Sequence, residues 1–121
     1  MGESGEMYLE TILILGQKQN RVRAVDVAAE MELSKASVSI ALGKLKAAEC
    51  VIVDQSGQIA FTEKGRQIAE KIYERHRVIS KIIMQLGVDE KTATEDACRI
   101  EHVISDRTFQ AVKDYIRRHE I

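Results

Sequence analysis

The chain has 121 residues and a formal net charge of −1, and it is 45% hydrophobic but only 4% aromatic, with no proline and two cysteines. That length suits one domain, or a small domain with an appendage, built on an aliphatic core of Ile, Leu, Val, Ala and Met. No stretch reaches the roughly 18 consecutive apolar residues of a membrane span, the acidic start MGESGEMYLE does not read as a secretory signal, and two cysteines far apart in sequence suit a reducing, cytoplasmic home better than a disulfide framework.

Residues 7–16 read as an apolar-rich helix, with Leu9, Ile12, Leu13 and Gly16 at helical spacing and Gly16 near its end. Ala24–Met31 is a short helix with Val27, Ala28 and Met31 on one face. Ser34 is a good N-cap for a further helix over residues 35–49, with Val38, Ala41, Leu42 and Leu45 as its buried stripe. Val51–Val53 and Ile59–Phe61 are β-prone runs, and between them DQSGQ supplies turn chemistry, with Gly57 free to take positive φ; together they form a hairpin. Thr62 caps a long helix over residues 63–86, which Gly87 stops. Helices over residues 88–105 and 106–119 complete a mainly α chain.

Helix, helix, turn, helix and two-stranded wing is the order of a winged helix-turn-helix. In that arrangement the second helix of the turn pair presents the side chains near its start to the DNA major groove. The charge distribution points the same way. Residues 18–46 carry six basic side chains against three acidic ones, whereas the first seventeen residues carry three Glu and no Lys or Arg. Small polar residues at the start of the 35–49 helix allow close backbone approach to phosphate. The alternative is a capped surface helix that never touches DNA.

The second feature is EDACRIEHVISD at residues 95–106. On a helix, Cys98, Glu101 and His102 stand at i, i+3 and i+4 and face one way. A sulfur, a carboxylate and an imidazole on one face are how a helix offers part of a metal site. The alternative is a solvated helix with one buried Cys acting as a small hydrophobe. Cys50 has no donor neighbour, and His119 near the C-terminus reads as an exposed residue.

Three blocks together resemble one family: EMYLETI (residues 6–12), SKASVSIALGKL (34–45) and EDACRIEHVISD, joined by FTEKG (61–65) at the wing exit. The chain resembles the diphtheria-toxin-repressor and manganese-transport-regulator family of metal-dependent transcriptional repressors, in its short form. The resemblance implies a winged helix-turn-helix DNA-binding domain over residues 1–65 and a helical metal-binding and dimerisation domain over 66–121. It implies metal ligands at Met7, Glu10, His76, Cys98, Glu101 and His102. It also implies DNA contacts from Ser34, Lys35, Ala36, Ser37, Ser39, Ile40 and Lys44. Ile40 stands where iron-sensing relatives have a base-contacting Gln, and it either touches a thymine methyl or turns inward.

Manganese sensors carry carboxylates at the positions of Met7 and Cys98, and iron sensors carry Met and Cys, as here. Soft sulfur suits Fe²⁺ better than the oxygen-preferring Mn²⁺. The expected activator is therefore Fe²⁺, with Mn²⁺ the alternative, and Zn²⁺ or Co²⁺ binding in vitro. The ancillary site of iron sensors is broken, because Ser80 and Thr94 replace a carboxylate and a His. Glu10 and His76 instead match the second metal position of manganese sensors, so one or two ions per chain are expected. The implied partner is palindromic operator DNA, bound by a cytoplasmic homodimer that represses metal-uptake genes, with no membrane and no small organic substrate. Each ligand also has a plainer reading: Met7 as core filler, Glu10 as a solvated acid, His76 as a surface residue between Arg75 and Arg77. Three rivals follow from the same residues: a zinc hydrolase using Glu101 as base, a DNA-binding regulator answering to a small molecule or to oxidation of Cys98, and a metal-binding module without DNA.

Overall fold

The computed structural model describes residues 2–121. Six helices and one two-stranded sheet follow in the order α1 (Glu3–Lys18), α2 (Ala24–Met31), α3 (Lys35–Ala47), β1 (Val51–Val53), β2 (Ile59–Phe61), α4 (Glu63–Gln85), α5 (Glu90–Ile100) and α6 (Asp106–Arg118). They form two compact units that divide between Glu70 and Lys71, within α4. Among the described residues, no helix is long and apolar enough to cross a membrane.

The first unit is a winged helix-turn-helix. α1 is longer at both ends than its apolar spacing predicts, and Gly16 lies inside it rather than at its end. Nothing interrupts the backbone ladder there, because the chain has no proline. α2 packs on both α1 and α3. Its start is fixed by Asp26, whose carboxylate accepts the Arg23 amide at 2.8 Å. Ser34 caps α3, its Oγ accepting the Ser37 amide at 3.1 Å. The core is aliphatic: Leu9, Ile12, Val27, Val38, Leu42, Leu45 and Val51 are all buried. α3 stops at Ala47, two residues earlier than its pattern predicts, since Glu49 turns to a φ of +61°.

The wing is antiparallel, with Val51 opposite Phe61, Ile52 opposite Ala60 and Val53 opposite Ile59. Asp54 organises its tip: one carboxylate oxygen accepts the amides of Ser56 and Gln58, both at 2.9 Å. Gly57 takes the positive φ, +85°, that the turn needs. Thr62 caps α4, its Oγ1 accepting the Gly65 amide at 3.1 Å and donating to the Glu49 carbonyl at 2.6 Å. A Cβ at Gly65 would lie 1.9 Å from the Cys50 carbonyl oxygen, so only glycine lets α4 start against the wing strand.

The second unit holds the rest of α4 with α5 and α6. Asp89 caps α5, accepting the Thr92 amide at 3.0 Å, and Ser105 caps α6, accepting the Thr108 amide at 3.1 Å. Its apolar cluster is small: Ile79, Ala97 and Phe109, with Val78, Ile83, Ile100 and Ile104 packed on it. One expectation fails here. The predicted helix over residues 88–105 is broken, because α5 ends at Ile100 and a tight turn follows. The amides of Val103 and Ile104 both donate to the Ile100 carbonyl, at 3.0 and 2.9 Å. Ile100 and Ile104 reach the same apolar cluster only across that turn, and the Ser105 cap restarts the helix after it.

Candidate metal centre and nucleic-acid face

The second unit brings together four of the predicted ligands. His76 comes from α4, Cys98 from α5, and Glu101 and His102 from the turn that follows. Glu101 is the C-cap of α5 but keeps helical backbone angles, φ −59° and ψ −26°. Its side chain therefore still points the way the i+3 spacing from Cys98 predicts, although the three residues do not share one continuous helix.

Donor atoms of His76, Cys98 and Glu101 all lie within 4.8 Å of one another. The Nδ1 of His76 lies 3.1 Å from Glu101 Oε2 and 3.7 Å from Cys98 Sγ. The other carboxylate oxygen, Oε1, lies 3.5 Å from His102 Nε2. Glu101 is fully buried, at 0% exposure, and its Oε1 makes no hydrogen bond. A carboxylate with an orphaned oxygen, out of water, needs a cation close by. Ligand atoms at about 2.0–2.3 Å from a divalent ion lie roughly 3–4 Å apart, and the spacings here fit that. One imidazole, one thiol and one carboxylate form a mixed N, S, O donor set suited to a first-row transition metal.

The electrostatics agree. Contact with Cys98, then with the Glu101 carboxylate, pushes the His76 imidazole up from 6.5 to about 10, against the opposing effect of its burial. At neutral pH, His76 therefore holds a proton between Cys98 and Glu101. Cys98 is exposed, so the reading of it as one buried hydrophobe is wrong. Cys50 is the buried cysteine, at 0% exposure. His119 is exposed and stacks on Tyr115 with ring centroids 3.9 Å apart.

Met7 and Glu10 lie on α1, in the first unit; Met7 is 44% exposed and Glu10 is buried. Ser80 is buried and its Oγ makes no hydrogen bond, while Thr94 is half-buried. Neither can carry a charge at the ancillary position. Sequence reasoning passed over Arg75, which is buried beside His76. The signal was available: Ile72, Arg75 and Ile79 share one helical face, and both isoleucines are core.

On the first unit, Ser34, Lys35, Ala36, Ser37, Ser39, Ile40 and Lys44 are all exposed. Ile40 is 62% exposed, so it does not turn inward. Residues 35–47 contain three Lys and no acid. A helix that presents serines, lysines and one aliphatic side chain outward can meet phosphates and base edges.

Two family models match the chain: the iron-dependent repressor N-terminal DNA-binding domain over residues 1–58, and the iron-dependent repressor metal-binding and dimerisation domain over residues 62–121. An HTH-type transcriptional regulator of Methanocaldococcus jannaschii is 32% identical over 120 residues, covering 98% of this chain and 96% of its own. The regulator MntR of Bacillus velezensis is 27% identical over 117 residues, covering 97% of this chain and 82% of its own. Among solved structures, the manganese regulator SloR superposes with a TM-score of 0.83 at 26% identity, over 93% of this chain and 53% of that one. The chain thus spans about half the length of that solved regulator. The fold, both family models and a full-length relative agree, and the chain belongs to the iron-dependent repressor family of metal-dependent transcriptional regulators.

Proposed function

We propose that this protein is a metal-dependent repressor of metal-uptake genes, activated by Fe²⁺, that binds palindromic operator DNA as a homodimer when loaded. The observation that carries the reading is the buried Glu101 carboxylate, with one oxygen orphaned and the His76 imidazole and Cys98 thiol beside it. Sulfur in the donor set favours Fe²⁺ over Mn²⁺, and the general affinity order makes Zn²⁺ and Co²⁺ ligands in vitro. His102 joins the set through Glu101. Met7 and Glu10 are further ligands on the family resemblance alone, and with them one or two ions bind per chain.

The bound ion supplies positive charge to donors that are otherwise neutralised by protons. His76 does that work in the metal-free protein, its imidazolium donating to Glu101 at 3.1 Å. Loading requires His76 to release its proton and Cys98 to become a thiolate, so binding releases protons. On the DNA side, Lys35 and Lys44 neutralise phosphates, Ser37 and Ser39 bond phosphate or base edges, and Ile40 packs on a thymine methyl. In the homodimer, the two α3 helices read half-sites about one helical turn apart. Metal affinity and operator affinity are then linked reciprocally: whatever factor metal adds to DNA binding, DNA adds to metal binding.

The test is anaerobic dialysis of the protein against Fe²⁺ and Mn²⁺ at equal free concentration, with bound metal counted per chain. It is followed by selection of duplexes from a random library with and without chelator. Mostly iron, with chelator-sensitive DNA binding, is the expected result, and Cys98→Ala weakens that metal response while leaving the dimer intact. Mostly manganese overturns the sulfur argument but keeps a metal-responsive regulator. DNA binding indifferent to chelator overturns the sensor.

A further inference from the structure

We infer that Arg75 is a positioning residue for the metal ligands: from the turn of α4 that presents His76, its guanidinium grips the turn between α5 and α6 that presents Glu101 and His102. The inference rests on the metal reading above.

Arg75 is only 6% exposed. Its Nη1 donates to the Glu101 carbonyl at 3.2 Å and to the Ile104 carbonyl at 2.8 Å. Its Nη2 pairs with the Asp106 carboxylate at the start of α6. Lys71, one turn earlier on α4, pairs with the same Asp106 oxygen at 3.0 Å. The guanidinium carbon also lies 5.5 Å from the Phe109 ring centroid, over its face. Its Nε is buried and makes no hydrogen bond.

Burying a guanidinium is expensive unless its donors find partners. A single carboxylate would suffice for a simple ion pair, yet here the fork spans three acceptors. Two are backbone carbonyls, one at the C-cap of α5, which has no partner within the helix, and one in the turn before α6. One of those belongs to Glu101 itself, and the other closes the turn that contains His102. A lysine could neutralise Asp106, but one ammonium cannot reproduce the planar fork that holds both carbonyls and the carboxylate. Because Arg75 and His76 are neighbours, α4 holds Glu101 twice: by its backbone through Arg75, and by its carboxylate through His76. Cys98 lies within α5, and none of the Arg75 bonds reaches it.

That difference sets the test. Full-length wild type, Arg75→Met and Arg75→Lys are titrated anaerobically with Co²⁺, following the thiolate-to-Co²⁺ charge-transfer band, the d–d bands, helicity and dimer state. Arg75→Met is expected to remain a helical dimer and to lose about 10- to 100-fold in Co²⁺ affinity, the usual effect of removing a group that orients ligands. Its thiolate band is expected to persist through Cys98 while the d–d bands shift, since Glu101 and His102 are the ligands set loose. Arg75→Lys is expected to recover only part of the affinity.

Arg75→Met with wild-type affinity and spectrum overturns the inference. So does an unfolded Arg75→Met beside an Arg75→Lys that binds like wild type, because charge alone would then suffice. If Arg75→Met unfolds, an intact Arg75→Lys with weakened Co²⁺ binding and a retained thiolate band supports the inference. Wild type that binds no Co²⁺ overturns the metal reading itself, and this inference with it.

Discussion

The two units bury different things. In the first, the buried side chains are Leu9, Ile12, Val27, Val38, Leu42 and others of their kind, and among the described residues Glu10 is the single buried charge. In the second, the buried apolar residues are only Ile72, Ile79, Ala93, Ala97 and Phe109, and Arg75, Ser80 and Glu101 are buried among them. Hydrophobic burial is non-directional and does not depend on protonation or on ions. Buried charge is stable only while its counter-charge is in place. The first unit is therefore held mainly by forces that ignore pH and metal, with Glu10 the exception among its described residues. The second is held partly by an arrangement of protons and charges that a metal ion can replace. A sensor can use that division: an aliphatic core that keeps the α3 surface folded, and a response where the charges are buried.

The largest effect that tests this contrast is Leu42→Ala. Leu42 is a core residue of α3 at 6% exposure. Its truncation is expected to cost about 2–5 kcal/mol in urea unfolding, from lost burial plus the cavity left behind. Co²⁺ affinity of the folded protein is expected to stay at the wild-type value. A large loss of metal affinity in this variant would show that the metal ligands depend on the packing of α3.

The next effect is a pair of opposite pH dependences in the second unit. His76 is raised from 6.5 to about 10 by Cys98 and Glu101. A cationic group whose folded value is raised binds its proton more tightly in the folded state. The stability this contributes is fully present below 6.5 and is lost as pH rises through 10. If His76 is a ligand as proposed, metal competes with that same proton, so metal affinity should rise over the window in which metal-free stability falls, by up to about tenfold per pH unit for each proton released. Urea midpoints of the metal-free protein and Co²⁺ titrations between pH 6.5 and pH 9 measure both slopes. His76→Gln should flatten the fall in stability. Slopes of the same sign would break the account of His76 as the proton that metal displaces.

The sequence was most readable where structure is local. Ser34 and Thr62 announce helix starts because a hydroxyl accepts an amide three residues on, and Asp54 with Gly57 announces the wing tip, whereas the Ser105 cap was hidden at the end of the helix predicted over residues 88–105. The break after Ile100 was not readable, because no proline or glycine marks it and Cys98 to Ser105 keeps an apolar residue every few positions. Its causes are long-range: Arg75, more than 25 residues earlier, takes the Glu101 carbonyl, and the cluster of Ile79, Ala97 and Phe109 receives the isoleucines on either side of the turn. The cluster of His76, Cys98 and Glu101 was readable only in part. The spacing aligns Cys98 with Glu101, but the partnership of His76 with them is a fact of tertiary packing that only the family resemblance anticipated.

The smallest effect lies on the DNA face, where the contrast predicts independence in the other direction. Lys44 and Ile40 are exposed on α3, four residues apart and so on one side of the helix. On the proposed reading Lys44 meets a phosphate and Ile40 a base edge. Removing one phosphate contact releases one fewer counterion. Lys44→Ala is therefore expected to weaken binding of all duplexes alike and to reduce the slope of log affinity against log salt by about one. Ile40→Ala carries no charge change, so the slope should hold while preference at a thymine is reduced. Fluorescence anisotropy with metal-loaded protein across a salt series separates the two. Neither variant should move the Co²⁺ affinity measured without DNA, since neither side chain is among the proposed ligands. Reciprocal linkage requires only that the extra metal affinity gained on adding duplex, measured at one salt concentration, shrink in proportion if these variants bind DNA less well in the metal-loaded state than in the metal-free one.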